Sequence, residues 1–123
     1  MSNWEIDHVQ LAIPAGSEER CDAFYVTLLG FEVLAKPPRL ASRGGRWYQR
    51  GLVSLHLGVD PDFQPARKAH VALGVADYGA LVVRLAEAHY PVQPDDAVAG
   101  VTRCYVADPC GNRLELIDLT SGH

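Results

Sequence analysis

Four side chains in this sequence could bind a metal ion or move a proton, and they fall into matched pairs. His8 sits in Ile-Asp-His-Val-Gln-Leu, and His70, 62 residues later, in Ala-His-Val-Ala-Leu. His56 sits in Leu-His-Leu, and Glu115, 59 residues later, in Leu-Glu-Leu. Each is bordered by apolar residues at alternate positions: Val9, Leu11 and Ile13; Val53, Leu55, Leu57 and Val59; Val71, Leu73 and Val75; Leu114, Leu116 and, after a slip at the strand end, Leu119. Alternation with a period of two is the pattern of a strand with one buried face, and it sends the polar side chain to the other face. Two histidines and a carboxylate suit a divalent metal such as Zn, Ni, Mn, Fe or Co, with positions left open for water or substrate. His56 is a fourth ligand or a nearby proton carrier, since imidazole titrates close to neutrality.

Other polar residues share these strands. Gln10 alternates with His8 and is a candidate to touch substrate. Tyr105 lies ten residues before Glu115, and Tyr48 matches it 57 residues earlier. Either hydroxyl could orient substrate or donate a proton, or the ring could simply pack. Arg46 and Arg50 share parity with Tyr48, Arg103 with Tyr105 and Arg113 with Glu115. Together they would make a cationic cavity suited to a carboxylate or phosphonate. Trp47, Tyr48 and Tyr105 would equally suit a non-catalytic protein that holds an aromatic or antibiotic ligand.

The elements that must position these residues read twice as β-α-β-β-β. Strand 6–13 ends at Pro14-Ala15-Gly16, and Ser17, followed by Glu18 and Glu19, opens a helix that Gly30 stops. A short strand covers 31–35, residues 36–45 form a loop or a mobile lid, and 46–50 pairs with 53–59 as a hairpin. The first module thus runs from about residue 4 to 59 and a linker from 60 to 68. The second module, about 69–119, has a strand over 69–75, a helix from Asp77 to about His89, and a short strand at Val92. A loop over 95–100, a strand over 102–107 and a last strand over 114–119 complete it. Asp108-Pro109-Cys110-Gly111-Asn112 is strong turn chemistry. His89, at a helix C-terminus, reads as structural. The fold class is therefore α+β: an internal repeat of two modules forming a cupped mixed sheet with helices outside it.

The whole composition fits this reading. A chain of 123 residues, 48% hydrophobic and 21% charged, suits one globular domain. A net charge of −4 with no basic run argues against nucleic acid as a partner. No apolar run is long enough to span a membrane, and the N-terminus lacks signal-peptide patterning. Cys21, Cys104 and Cys110 are odd in number and lack Cys-x-x-Cys spacing, so neither a disulfide framework nor a thiolate zinc site is expected. A reduced, cytoplasmic protein with a small-molecule substrate is the expectation.

His8 in its strand, Phe24-Tyr25 with Leu29-Gly30-Phe31, His70 in its strand and Asp108-Pro109-Cys110-Gly111-Asn112-Arg113-Leu114-Glu115 together resemble the vicinal oxygen chelate superfamily. That superfamily includes glyoxalase I, fosfomycin- and bleomycin-resistance proteins and extradiol dioxygenases. The resemblance spans about residues 5–119. It implies paired βαβββ modules, a divalent metal held by His8, His70 and Glu115, and chelation of vicinal substrate oxygens by that metal. Lyase, isomerase or dioxygenase chemistry follows, with His56, Glu115 and Tyr105 as the catalytic candidates. Glyoxalase I carries a glutamate where His56 stands. Small members of the superfamily also imply a homodimer whose sites take ligands from two chains.

Overall fold

The computed structural model describes residues 3–122. It divides into two compact units, residues 3–64 and 65–122, and the division falls inside the segment expected as a linker. Each unit carries one four-stranded mixed sheet of the same order, so the α+β class and the two βαβββ modules stand as the fold.

In the first unit, β1 (Val9–Ile13) is followed by α1 (Glu18–Asp22), which runs on as a π-helix over Ala23–Leu28. Then come β2 (Glu32–Leu34), α2 (Pro38–Ala41), β3 (Arg46–Arg50) and β4 (Val53–Val59). The order is β1-β4-β3-β2, with β1 and β4 parallel and the other pairs antiparallel. The loop expected over 36–45 contains α2. Consecutive prolines open it: Pro37 is extended, Pro38 takes the first helical turn, and the Pro37 carbonyl accepts from the Leu40 and Ala41 amides at 2.8 and 3.1 Å. The wide π turns end at Gly30, whose φ of +83° lets its amide and that of Phe31 turn back to the carbonyls of Val26 and Tyr25.

The second unit contains β5 (Val71–Val75), α3 (Tyr78–Glu87), β6 (Gln93–Pro94), β7 (Arg103–Ala107) and β8 (Arg113–Asp118). Its order, β5-β8-β7-β6, repeats the first, again with the outer β5 parallel to β8. α3 ends in a Schellman turn: the Tyr90 amide reaches Leu85 O at 2.8 Å and the His89 amide reaches Ala86 O at 3.1 Å. His89 itself takes φ 67°, the left-handed conformation that Gly30 supplies in the first unit.

Each unit buries one face of its sheet. In the first, Leu11, Ile13, Leu55 and Leu57 share the buried set with Cys21, Phe24 and Tyr25 of the helix; in the second, Leu114, Leu116, Cys104 and Val106 share it with Leu81 and Leu85 of α3. Tyr48 belongs to this core, which corrects its placement among substrate-facing residues. It is fully buried, pairs across the ladder with Leu55, and packs its ring 5.3 Å from that of Tyr25. Its hydroxyl donates to Asp22 Oδ1 at 2.6 Å, and burial and that bond push its pKa up. Arg46 and Arg50 share its parity and are corrected with it. Arg46 lies against the Asp22 carboxylate (Nε–Oδ1 3.0 Å), and Arg50 donates to Gly30 O at 3.1 Å. Both guanidinia serve the helix side of the sheet.

Candidate functional site

The opposite sheet face of each unit carries one cross-strand row of polar and aromatic residues. In the second unit the row is Ala72, Glu115, Tyr105 and Gln93 across β5, β8, β7 and β6. Glu115 is 7% exposed, an unusual degree of burial for a carboxylate, and its two oxygens have separate partners. Oε1 lies 2.9 Å from His70 Nε2, and Oε2 accepts from Arg103 Nη1 at 2.9 Å. Arg103 is anchored in turn through Nη2 to Asp95 at 3.0 Å. Burial works to raise the Glu115 pKa, but the hydrogen bonds and charges of Arg103 and His70 outweigh it and hold the carboxyl below its ordinary value. The same bond to Glu115 raises the Arg103 pKa.

His70 Nδ1 is 2.8 Å from the Lys68 carbonyl, an acceptor only, so this nitrogen carries a proton. In the neutral ring Nε2 then presents a lone pair to Glu115 Oε1. Two acceptors 2.9 Å apart need a cation between them: a second proton on His70, or a metal ion. A backbone carbonyl on one ring nitrogen and a metal on the other is the usual way a protein orients a ligating histidine. Arg103 occupies only one carboxylate oxygen and leaves the other forward. This donor set therefore fits a divalent metal.

The second unit also shows what the Asp-Pro-Cys-Gly-Asn turn does. Asp108 Oδ1 accepts from the Cys110 and Asn112 amides, both at 2.9 Å. The buried Asn112 reaches back, its Oδ1 accepting from the Ala66 amide at 2.9 Å, while the Arg113 amide donates to Ala66 O at 2.8 Å. The segment before β5 is thus pinned to the start of β8, which sets His70 against Glu115.

In the first unit the row is Gln10, His56, Trp47 and Leu34 across β1, β4, β3 and β2. Three rings stack along it. Trp47 lies over His56 at 4.5 Å and 11°, and His56 over His8 at 4.1 Å and 15°. His8 Nδ1 is 2.8 Å from Asp7 Oδ2. Burial, with repulsion from the neighbouring His8 second, lowers the His56 pKa and favours its uncharged imidazole. A groove of about 590 Å³ runs along these rings, lined also by Gln10, Leu34, Lys36 and Leu40. Residues 36–45, expected as loop or lid, thereby supply one wall.

Of the residues expected at a site, His8, His56 and Gln10 share one face of the first unit, and His70, Glu115, Arg103 and Tyr105 one face of the second. Among the described residues no three His, Cys, Asp or Glu side chains form a metal-holding group. Arg103 is a partner of Glu115 and Asp95 instead of a free cation. Trp47, not Tyr48, is the structural counterpart of Tyr105: each stands beside its row's His56 or Glu115. Asp7 and Asp95, which orient His8 and Arg103, had no periodic signal to reveal them.

This repeated sheet plan is shared with known proteins. The model of the Glyoxalase/Bleomycin resistance protein/Dioxygenase superfamily matches residues 5–116, and the chain belongs to that superfamily. The crystal structure of a glyoxalase family protein from Bacillus anthracis is 41% identical, with 96% of this chain and 98% of that one covered and a TM-score of 0.90. TnmS3, an antibiotic binding protein from Streptomyces sp. CB03234, is 28% identical over 94% of this chain and 98% of its own, with a TM-score of 0.68. The fosfomycin resistance protein FosX from Listeria monocytogenes shares the fold at 13% identity, over 97% of this chain and 96% of its own, with a TM-score of 0.76. No curated protein matches the sequence. Among the described residues no helix is long and apolar enough to cross a membrane.

Proposed function

We propose that this chain is a metal-dependent enzyme of the superfamily, acting on a small molecule that chelates the metal. The observation that carries this reading is the approach of His70 Nε2 to Glu115 Oε1 at 2.9 Å, with Nδ1 2.8 Å from the Lys68 carbonyl. His70 and Glu115 would hold the ion, and the resemblance implies His8 as a further ligand and His56 as a fourth ligand or proton carrier, from this chain or from a second copy. When bound, a divalent ion acts as a Lewis acid on a chelating substrate oxygen. The protein's own residues do the rest. Arg103 fixes the rotamer of Glu115 and keeps one oxygen forward. His56, neutral under Trp47, can take a proton from a substrate carbon acid. Lyase or isomerase chemistry uses these groups directly; with Fe or Mn the same ligands suit dioxygen chemistry.

The test is elemental analysis and calorimetry on untagged protein after reconstitution with Zn, Ni, Mn, Fe(II) or Co. The expected result is about one ion per chain, with affinity reduced at least tenfold in each of His70→Ala, Glu115→Gln and His8→Ala. Wild-type metal content in all three variants would overturn the reading.

A second reading, a non-catalytic binding protein, is favoured by the ring stack in the first unit and by the antibiotic-binding relative. A planar ligand in the 590 Å³ groove would contact Trp47 and His56. Loss of such binding in Trp47→Ala, with no turnover of the ligand by metal-loaded protein, would select this reading over the enzymatic one.

A further inference from the structure

Four arginines were candidates for a cationic cavity, and the structure separates them. Arg46 is committed to Asp22, Arg103 to Glu115 and Asp95, and Arg50 to the helix end at Gly30. Arg113 is different. Among the described residues it has no carboxylate within ion-pairing distance; its Nη1 donates only to the Arg67 carbonyl at 3.3 Å. Its guanidinium lies 3.7 Å over the Tyr105 ring, a cation–π seat that holds the charge without neutralising it. Arg67 likewise has no carboxylate partner among the described residues, and both arginines line a pocket of about 340 Å³ with Gln93, Tyr105, Pro91 and Gly111. Two guanidinia without a direct ion-pair partner, Asp95 acting on Arg113 only from beyond contact, gather positive charge in one pocket of a chain whose net charge is −4.

We infer that this pocket is an oxyanion subsite, in which Arg113 and Arg67 take the carboxylate or phosphonate head of a small organic anion. Three features make it part of the same site as Glu115. Arg113 and Glu115 are two apart on β8 and therefore share a face, about 7 Å apart along the strand. Tyr105 joins them: Arg113 covers its ring, His70 meets the ring edge-on at 5.5 Å, and Arg103 lies 3.3 Å from its hydroxyl. The bonds from Asn112 and Arg113 to Ala66 that set His70 also place Arg67 beside Arg113. A planar fork with unspent donors is the group that matches an oxyanion in two-point contact. The pocket volume suits a ligand of about benzoate size.

The substrate class follows: an anion whose charged head sits about one strand repeat from its metal-chelating oxygens. Only the assignment of the chelating end rests on the metal reading above. Gln93 offers an amide at the pocket's third side, and Pro91 and Gly111 provide apolar and unobstructed wall.

The test uses metal-free, full-length protein titrated with benzoate and, separately, phenylphosphonate, followed by calorimetry and by amide chemical shifts. Binding is expected to perturb Arg67, Gln93, Tyr105 and Arg113. Arg113→Gln should weaken it at least tenfold, Arg113→Lys less, and Arg50→Gln not at all. The preference between the two probes identifies the head group. Metal content of the same preparations is measured separately: Arg113→Gln should keep it, so failure of the metal reading and failure of the subsite are distinguishable. If Arg113→Gln does not fold, Arg67→Gln, at an exposed side chain, replaces it with the same expectation. No binding by wild type, unchanged affinity in the folded arginine variant, or shifts confined to other regions would overturn the inference.

Discussion

The two units share a sheet order and a ladder register, yet their site faces are built from opposite physics. In the first, the row Gln10–His56–Trp47–Leu34 is held by ring stacking around a neutral imidazole. In the second, the row Ala72–Glu115–Tyr105–Gln93 is held by charge around a buried carboxylate. One exchange, His56 against Glu115, dictates the company each keeps. A buried carboxylate needs a cation, and Arg103 supplies one, with His70 against its other oxygen. An imidazole kept neutral needs none and accepts ring faces. The backbone follows suit. Arg103 precedes Tyr105 by two residues, and the residue two before Trp47 is Gly45. Gly45 is left-handed at φ +83°, and a Cβ there would lie 2.1 Å from Leu57 O, so no arginine can stand at that position of the first unit. Two copies of one scaffold thus carry different site faces at the level of single side chains.

The largest expected difference lies in the central pair. Glu115→Gln leaves Arg103 with Asp95 alone and deprives His70 of its partner, and it should cost about 3 kcal/mol in urea unfolding. His56→Gln in the first unit loses two ring contacts and should cost about 1 kcal/mol. Equal losses would show that the charge network is no stronger than the stack.

The acid response should separate the two units by pH. Glu115 has a lowered folded pKa, so its contribution is complete above its unfolded value of about 4.5 and is lost as pH falls through the folded pKa. His56 also has a lowered folded pKa, but it is a base: the unfolded state takes up its proton first, so stability falls as pH drops below about 6.5. Stability measured across pH 3–8 should decline in these two windows. His56→Gln should flatten the upper one and Glu115→Gln the lower. An NMR midpoint for His56 at or above 6.5 would remove the neutral-stack account.

The smallest effect concerns the helix ends. Gly30 and His89 occupy matching left-handed positions, one with glycine and one without. His89→Gly should relieve the side-chain penalty and raise stability by about 1 kcal/mol. Gly30→Ala should lower it by a similar amount, because an L side chain is strained at φ +83°; the Arg50 guanidinium, 2.4 Å from the new Cβ, would also have to move. A destabilised His89→Gly would mean that the imidazole makes a compensating contribution at the helix end.

Much of this was legible in the residues themselves. Strand parity told which side of β1, β4, β5 and β8 each of His8, His56, His70 and Glu115 would take, because alternation is a property of the local backbone. The Gly30 stop and the Asp108–Asn112 turn were equally local. What the chain order could not decide was β3. Matching Tyr48 to Tyr105 looked natural, but the ladder pairs Trp47 with His56 and Tyr105 with Glu115, and a slip of one residue moves a side chain to the other face of the sheet. With that slip Tyr48, Arg46 and Arg50 passed from the site to the helix side. The state of each arginine was also a tertiary decision. Identical guanidinia become a clamp on a carboxylate, a helix-end donor or a cover over an aromatic ring according to which groups the fold brings into contact. Sequence determines the parity of a strand because that is set by neighbouring peptide units; register and charge pairing join residues tens of positions apart, so only the folded sheets determine them.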